Sequence, residues 1–148
     1  MYQQLSEKAR DILSTAQKIA HEEQIEYVGT EHVLLAILDH PDCMAAEMLR
    51  RLGVELSVLR QEIANRDLGP AEESLVLGRL PGTPHFRSAV AAAIRAAGQV
   101  TGRRIDTELL LLGLANQLGS AAQHALARVG VTAKMIEEGL LTPPEATR

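Results

Sequence analysis

Residues 30–35 read Thr-Glu-His-Val-Leu-Leu, and residues 107–112 repeat this string as Thr-Glu-Leu-Leu-Leu-Leu. At the same offset of 77 positions, residues 49–54 read Leu-Arg-Arg-Leu-Gly-Val and residues 126–131 read Leu-Ala-Arg-Val-Gly-Val. An internal repeat has to be recognised first, since it determines the whole architecture. We therefore interpret the chain as two copies of one structural unit.

The repeat also sets the domain organisation. The first copy covers about residues 5–66 and the second about residues 83–141. Between them, residues 67–82 contain Gly-Pro and Pro-Gly pairs, which are typical of a linker running over the surface. Residues 142–148 contain two prolines and are expected to fray, since proline cannot continue a helix. The sequence predicts one domain built from two repeats.

Within each copy, apolar residues recur at intervals of three and four, the spacing of an amphipathic helix. We predict four helices per copy, and hence an all-α fold of eight helices in two tandem, pseudo-symmetric four-helix repeats. N-caps are predicted at Ser6 and Thr83 for the first helix of each copy, and at Thr30 and Thr107 for the second. The buried face of the second helix in the second copy is predicted to reach Leu118.

Composition narrows the classes of function. The net charge is −4 and no block of basic residues is present, so a nucleic acid is not expected as a partner. The single cysteine excludes an internal disulfide. No apolar stretch has membrane-spanning length and the start is not a signal peptide, so we expect a cytoplasmic protein without a membrane partner. The absence of a long heptad pattern favours a monomer.

Residues 28–38, Val-Gly-Thr-Glu-His-Val-Leu-Leu-Ala-Ile-Leu, resemble the Gly-Thr-Glu-His-(Ile/Val)-Leu-Leu signature of the N-terminal domain of Clp unfoldases of the ClpC/ClpA type. Leu-Ser-Glu-Lys-Ala at 5–9, Thr-Pro at 83–84 and residues 45–54 are similar to other parts of the same Clp repeat. The resemblance covers about residues 1–141. It implies the two-repeat helical fold of that N-terminal domain.

The resemblance also implies a function, namely a non-catalytic module that binds proteins or peptides for the Clp proteolytic system. In full-length relatives this domain docks adaptors and substrates, including proteins marked by phosphoarginine. Those relatives continue into ATPase modules, but this chain has no Gly-x-x-x-x-Gly-Lys-Ser/Thr phosphate loop, so we expect a module without a cofactor. The sequence favours a stand-alone protein and leaves open an N-terminal domain cut from a longer one. Two alternatives stay open: a decoy that binds cyclic-peptide antibiotics aimed at the unfoldase, and a regulator that docks on the unfoldase.

Glu31 and Glu108 are the main candidate ligand-binding residues. The resemblance implies that each carboxylate holds the guanidinium group of phosphoarginine, and that Ser6 and Thr83 lie on the phosphate side, where a helix N-terminus supplies further N–H donors. The predicted pairs are Ser6 with Glu31 and Thr83 with Glu108. A plainer interpretation is that each carboxylate only complements its helix macrodipole, which contributes about 0.3–1 kcal/mol.

Three further residues complete the candidate set. Thr30 and Thr107 directly precede the two glutamates, and Tyr2 corresponds to an aromatic residue that relatives use in binding antibiotics. In the second copy, Asp106-Thr-Glu-Leu replaces Gly-Thr-Glu-His. The added negative charge of Asp106 opposes a phosphate group, although neighbouring arginines could offset it. Whether the second copy binds a ligand is therefore left open.

Metal and catalytic sites are not expected. The five histidines share no ligand spacing within one helix, and His21-Glu22-Glu23 is not a His-Glu-x-x-His motif. No Gly-x-Ser-x-Gly nucleophile motif occurs. The sequence therefore favours a binding module over an enzyme.

Overall fold

The eight predicted helices are present in the computed structural model, which describes residues 5–24, 27–64, 84–98 and 105–141. In chain order they are α1 (Glu7–Glu22), α2 (Thr30–Leu38), α3 (Met44–Arg51), α4 (Leu56–Ala64), α5 (Pro84–Gly98), α6 (Thr107–Ala115), α7 (Ala121–Arg128) and α8 (Ala133–Leu141). Each helix from α5 to α8 begins 77 residues after its counterpart. The predicted linker and tail lie outside the described residues.

The all-α fold class is confirmed. No strand forms among the described residues, although a parallel β-bridge joins Leu5, just before α1, to Ile105, just before α6. This bridge connects the first repeat to the second at the point where two helices begin. It therefore brings together the N-termini of α1 and α6.

Helices α2 and α6 form the centre of the core. All nine residues of α6 are buried, and so are all residues of α2 except Leu35. Helix α5 packs closely on α6 because Gly113 has no side chain, and a Cβ there would collide with the carbonyl oxygen of Ala89. Helices this short are marginal in water by themselves, so their stability comes from packing.

The exposed loop after α6 corrects one prediction. Helix α6 ends at Ala115, Asn116 is its C-cap, and Gly119 adopts a positive φ of 86°. Leu118 therefore lies outside the helix, and 79% of it is exposed. The prediction that Leu118 extends the buried face is wrong, because the apolar spacing continues past the residue at which the helix ends.

The N-caps of α2 and α6 differ from the prediction as well. Gly29 caps α2 and Asp106 caps α6, each with an extended backbone, and the two threonines are the first helical residues. Thr30 and Thr107 are therefore wrongly predicted as N-caps. The physical reason is that both hydroxyl groups accept hydrogen bonds from other helices instead of from their own.

Each of these threonines caps a helix of the opposite repeat. The Ala122 N–H, in the first turn of α7, donates to Thr30 Oγ1 at 3.2 Å. The Ala45 N–H, in the first turn of α3, donates to Thr107 Oγ1 at 2.9 Å. Because the first N–H groups of a helix have no partner within it, each repeat completes a helix start of the other. Packing of α3 on α6 and of α4 on α7 adds to the same interface.

Candidate functional site

Glu31 lies in the first turn of α2, and only 6% of it is exposed. Its carboxylate folds back over Gly29, where an added Cβ would collide with Glu31 Oε1 and lie 2.8 Å from Cδ. The glycine before Thr30 thus makes room for the carboxylate. A charged group that only complements a helix macrodipole has no need of burial, which costs free energy unless hydrogen bonds or charges compensate. Glu31 is therefore buried more deeply than an interaction with the helix macrodipole requires.

His32 fixes the start of α2. The Gly29 N–H donates to His32 Nδ1 at 2.9 Å, and His32 Nε2 lies 3.2 Å from Glu23 Oε1. Since Nδ1 accepts, the ring proton lies on Nε2 and donates to the Glu23 carboxylate. The fully buried ring, tilted against Tyr27 at 6.2 Å between centroids, therefore ties the N-terminus of α2 to the C-terminal end of α1. His32 supports the backbone that carries Glu31.

Ser6 occupies the N-terminus of α1, as predicted. The Ala9 N–H donates to Ser6 Oγ at 3.1 Å, so the hydroxyl caps the helix. The same hydroxyl donates to Asp106 Oδ1 at 2.9 Å, and the Ser6 N–H donates to the Ile105 carbonyl oxygen at 2.9 Å. Ser6 therefore contacts the residues that precede α6, in the other repeat.

This position shows that Ser6 and Glu31 were wrongly paired. Helix α1 has 16 residues and is about 24 Å long at ~1.5 Å per residue. Ser6 caps its first turn, whereas the His32–Glu23 contact holds the start of α2 at its opposite end. The partner of Ser6 is the start of α6, the helix that carries Glu108. Sequence spacing could not reveal this, because the meeting of α1 and α6 is a contact between repeats.

Glu108 is the counterpart of Glu31 in the first turn of α6, and 3% of it is exposed. Its surroundings differ at the two positions that the sequence singled out. Asp106 replaces Gly29, and its Oδ1 accepts both from Ser6 Oγ and, at 2.7 Å, from the Thr107 N–H. Leu109 replaces His32, so the histidine support is absent at α6. The two glutamates therefore share a helix position within unlike surroundings.

The remaining candidate residues divide into two groups. Thr30 and Thr107 are buried, and their hydroxyls accept N–H groups of α7 and α3. Those contacts give both threonines a role within the fold. Tyr2 and Thr83 lie outside the described residues, as do Arg103 and Arg104, so their predicted roles stay predictions.

The described residues contain neither a metal-binding cluster nor a membrane-spanning helix. No group of three or more His, Cys, Asp or Glu side chains in the described ranges could hold a metal ion. Among the helices described, none combines the length and apolar character that crossing a membrane requires.

Sequence comparison identifies relatives. The model of the Clp repeat (R) N-terminal domain family matches residues 4–126. A probable ATP-dependent Clp protease ATP-binding subunit of Chlamydia pneumoniae is 28% identical over 141 residues, which are 95% of this chain and 17% of that protein. A ClpA homolog of Guillardia theta is 30% identical over 126 residues, which are 85% of this chain and 15% of that protein. The chain thus spans about a sixth of the length of these relatives.

Structural comparison agrees with this relationship. The N-terminal domain of the chaperone ClpD from Arabidopsis thaliana superposes with a TM-score of 0.74 at 17% identity, covering 95% of this chain and 94% of that one. The N-domain of ClpV from Vibrio cholerae gives a TM-score of 0.72, also at 17% identity, over 94% of this chain and 84% of that one. At such identities the similarity establishes a common fold.

Proposed function

The chain belongs to the Clp repeat N-terminal domain family, and from this premise we propose that it is a non-catalytic module that binds substrate or adaptor proteins for a Clp unfoldase. The family match over most of the chain supports the binding role. The ligand that we propose is a protein segment carrying phosphoarginine. Its guanidinium group suits a buried carboxylate, and its phosphate group suits the N–H donors of a helix start.

The observation that carries this proposal is the carboxylate of Glu31, buried in the first turn of α2 and folded over Gly29. Hydrogen bonds between ionised groups are stronger than neutral ones, and more so where water is excluded. Buried Glu31 therefore suits a charged, multiply donating guanidinium better than an apolar side chain. His32 ties the backbone at the start of α2, next to Glu31, to the end of α1.

We further propose that the start of α5 binds the phosphate group of the ligand. Helix α2 contacts α5, which begins at Pro84, just after Thr83. Ser6 lies beside the start of α6, which carries Glu108, so by the equivalence of the repeats we expect Thr83 to act together with Glu31. We expect Thr83→Ala to weaken binding of a phosphoarginine peptide without affecting binding of the same peptide with plain arginine.

Calorimetry with two matched peptides, one carrying phosphoarginine and one carrying arginine, tests the proposed ligand. We expect preferential binding of the phosphorylated peptide. Glu31→Gln should weaken it about tenfold or more, since a hydrogen bond to a charged group contributes about 1.5–3 kcal/mol. Glu55→Gln, at an exposed position before α4, is the control with the same charge change and should leave the affinity unchanged. Equal affinity for both peptides, or an unaffected Glu31→Gln variant, would contradict the proposal.

The two alternative functions make different predictions. A decoy for cyclic-peptide antibiotics would restore the activity of a drug-treated unfoldase, and a regulator would copurify with the unfoldase regardless of Glu31 and Glu108. The decoy depends on Tyr2, which lies outside the described residues. The buried Glu31 carboxylate favours the binding of a phosphoarginine segment over either alternative.

A further inference from the structure

The starts of α1 and α6 meet at the carboxylate of Asp106. Asp106 Oδ1 accepts hydrogen bonds from Ser6 Oγ at 2.9 Å and from the Thr107 N–H at 2.7 Å. The hydrogen bond from the Ser6 N–H to the Ile105 carbonyl oxygen fixes the two backbones side by side. Asp106 therefore holds a negative charge against the cap of α1 as well as at the start of its own helix.

The equivalent position at the start of α2 carries no charge. Gly29 has no side chain, and the Glu31 carboxylate packs over it. The Gly29 N–H donates to His32 Nδ1 at 2.9 Å. Residue 29 therefore lacks the side-chain carboxylate that residue 106 places at the cap of a neighbouring helix.

We infer that Asp106 is a built-in anion that closes the α1–α6 end of the molecule to an external phosphate group. A phosphate arriving there would compete with Asp106 for the Ser6 hydroxyl. It would also meet the charge of that carboxylate and of Glu7, which is exposed in the first turn of α1. The number of phosphorylated ligands rests on the proposed phosphoarginine function: the chain takes one, at Glu31, and not two.

Inorganic phosphate is the simplest probe, because it tests whether Asp106 excludes a phosphate group without involving a guanidinium group. The amide signals of residues 6–9 are followed by NMR while phosphate is added to the wild-type chain, Asp106→Gly and Asp106→Asn. Glycine is the residue that α2 has at this position, and both replacements are acceptable N-caps. Asp11→Asn, on the exposed face of α1, makes the same change of charge away from the cap.

We expect no saturable shifts at residues 6–9 in the wild type. Asp106→Asn keeps the acceptor oxygen but loses the charge, so it should bind phosphate more weakly than Asp106→Gly, and no binding at all would show that the charge is not what closes this end. Asp11→Asn should behave like the wild type. Asp106→Gly should bind phosphate about tenfold more tightly or better, since both the occupied acceptor and its charge are gone. Saturable shifts in the wild type, or none in Asp106→Gly, would overturn the inference. A folded variant is recognised in the same spectra by the unchanged signals of α2 and α3.

Calorimetry with phosphoarginine separates this inference from the proposed function. We expect one ligand per wild-type chain and two per Asp106→Gly chain. If the wild type binds no phosphoarginine, the proposed function fails, whereas the phosphate titration still decides the role of Asp106. If the wild type binds two ligands per chain, the closure is wrong and the proposed function stands.

Discussion

Gly29 and Asp106 occupy the same position in the two repeats, and the side chain at this position changes the chemistry of a helix start. Glycine leaves space for the Glu31 carboxylate, and aspartate fills the space with its own charge. Both residues are good N-caps, so both starts are stable. We therefore expect the difference between them to affect ligand binding more than folding.

Gly29→Ala tests whether the position of the Glu31 carboxylate determines binding. The backbone at residue 29 has φ −106° and ψ 176°, which alanine adopts freely, so the new Cβ acts by displacing Glu31. We expect the affinity for a phosphoarginine peptide to fall about tenfold. The free energy of unfolding should fall by about 1 kcal/mol or less.

A double-mutant cycle is the control for this prediction. If Gly29→Ala acts through the carboxylate, adding it to Glu31→Gln should lower the affinity little further, because the two changes remove the same interaction. Additive losses in calorimetry would show that the alanine disturbs something other than Glu31.

Among the elements, α3 and α7 depend on threonines from the opposite repeat. The N–H groups of Ala45 and Ala122 donate to Thr107 and Thr30, and both hydrogen bonds are buried. A buried N–H that loses its acceptor costs about 1–3 kcal/mol. A change in one repeat should therefore loosen a helix in the other.

Thr107→Val tests this exchange with little change in side-chain volume. We expect the free energy of unfolding to fall by about 1–3 kcal/mol. The amide of Ala45, in the first repeat, should exchange with solvent faster than the global loss of stability explains. Thr132→Val is the matched control, because its hydroxyl accepts the Met135 N–H at an exposed, local cap. Equal acceleration of Ala45 amide exchange in both variants would show that the Thr107 hydroxyl does not stabilise the start of α3.

The sequence alone predicted the helices well, since apolar spacing is a local property and the four spacings recur in both copies. It failed where a helix start depends on a distant partner. Threonine is a residue type that favours N-caps, but the hydroxyls of Thr30 and Thr107 accept N–H groups from helices of the other repeat. The Ser6–Asp106 contact likewise joins residues 100 positions apart, which no pattern within one repeat records. Asp106 itself stood out only as a departure from the glycine of the first copy.

At the scale of the whole molecule, the two repeats form one interlocked unit. Helices α2 and α6 are buried almost completely, and packing between repeats joins α3 to α6 and α4 to α7. A separate half would expose these surfaces and lose the exchanged threonine caps. Neither half is expected to bury enough apolar surface to fold by itself.

Splitting the chain tests this interdependence. Fragments 1–66 and 83–148 should each give weak helical circular dichroism and no cooperative melting transition. An equimolar mixture should regain helicity, while the intact chain should melt in a single transition. A cooperative transition in either fragment alone would contradict the interlocked arrangement.

We propose above all that the chain binds phosphoarginine through the start of α2. An NMR titration of the isotope-labelled chain with phosphoarginine locates the ligand through the amide signals that shift. We expect saturable shifts at residues 29–32 that are lost in Glu31→Gln, with residues 6–9 unaffected. An absence of saturable shifts, or shifts centred on residues 6–9 with residues 29–32 unchanged, would show that the ligand does not bind at the start of α2.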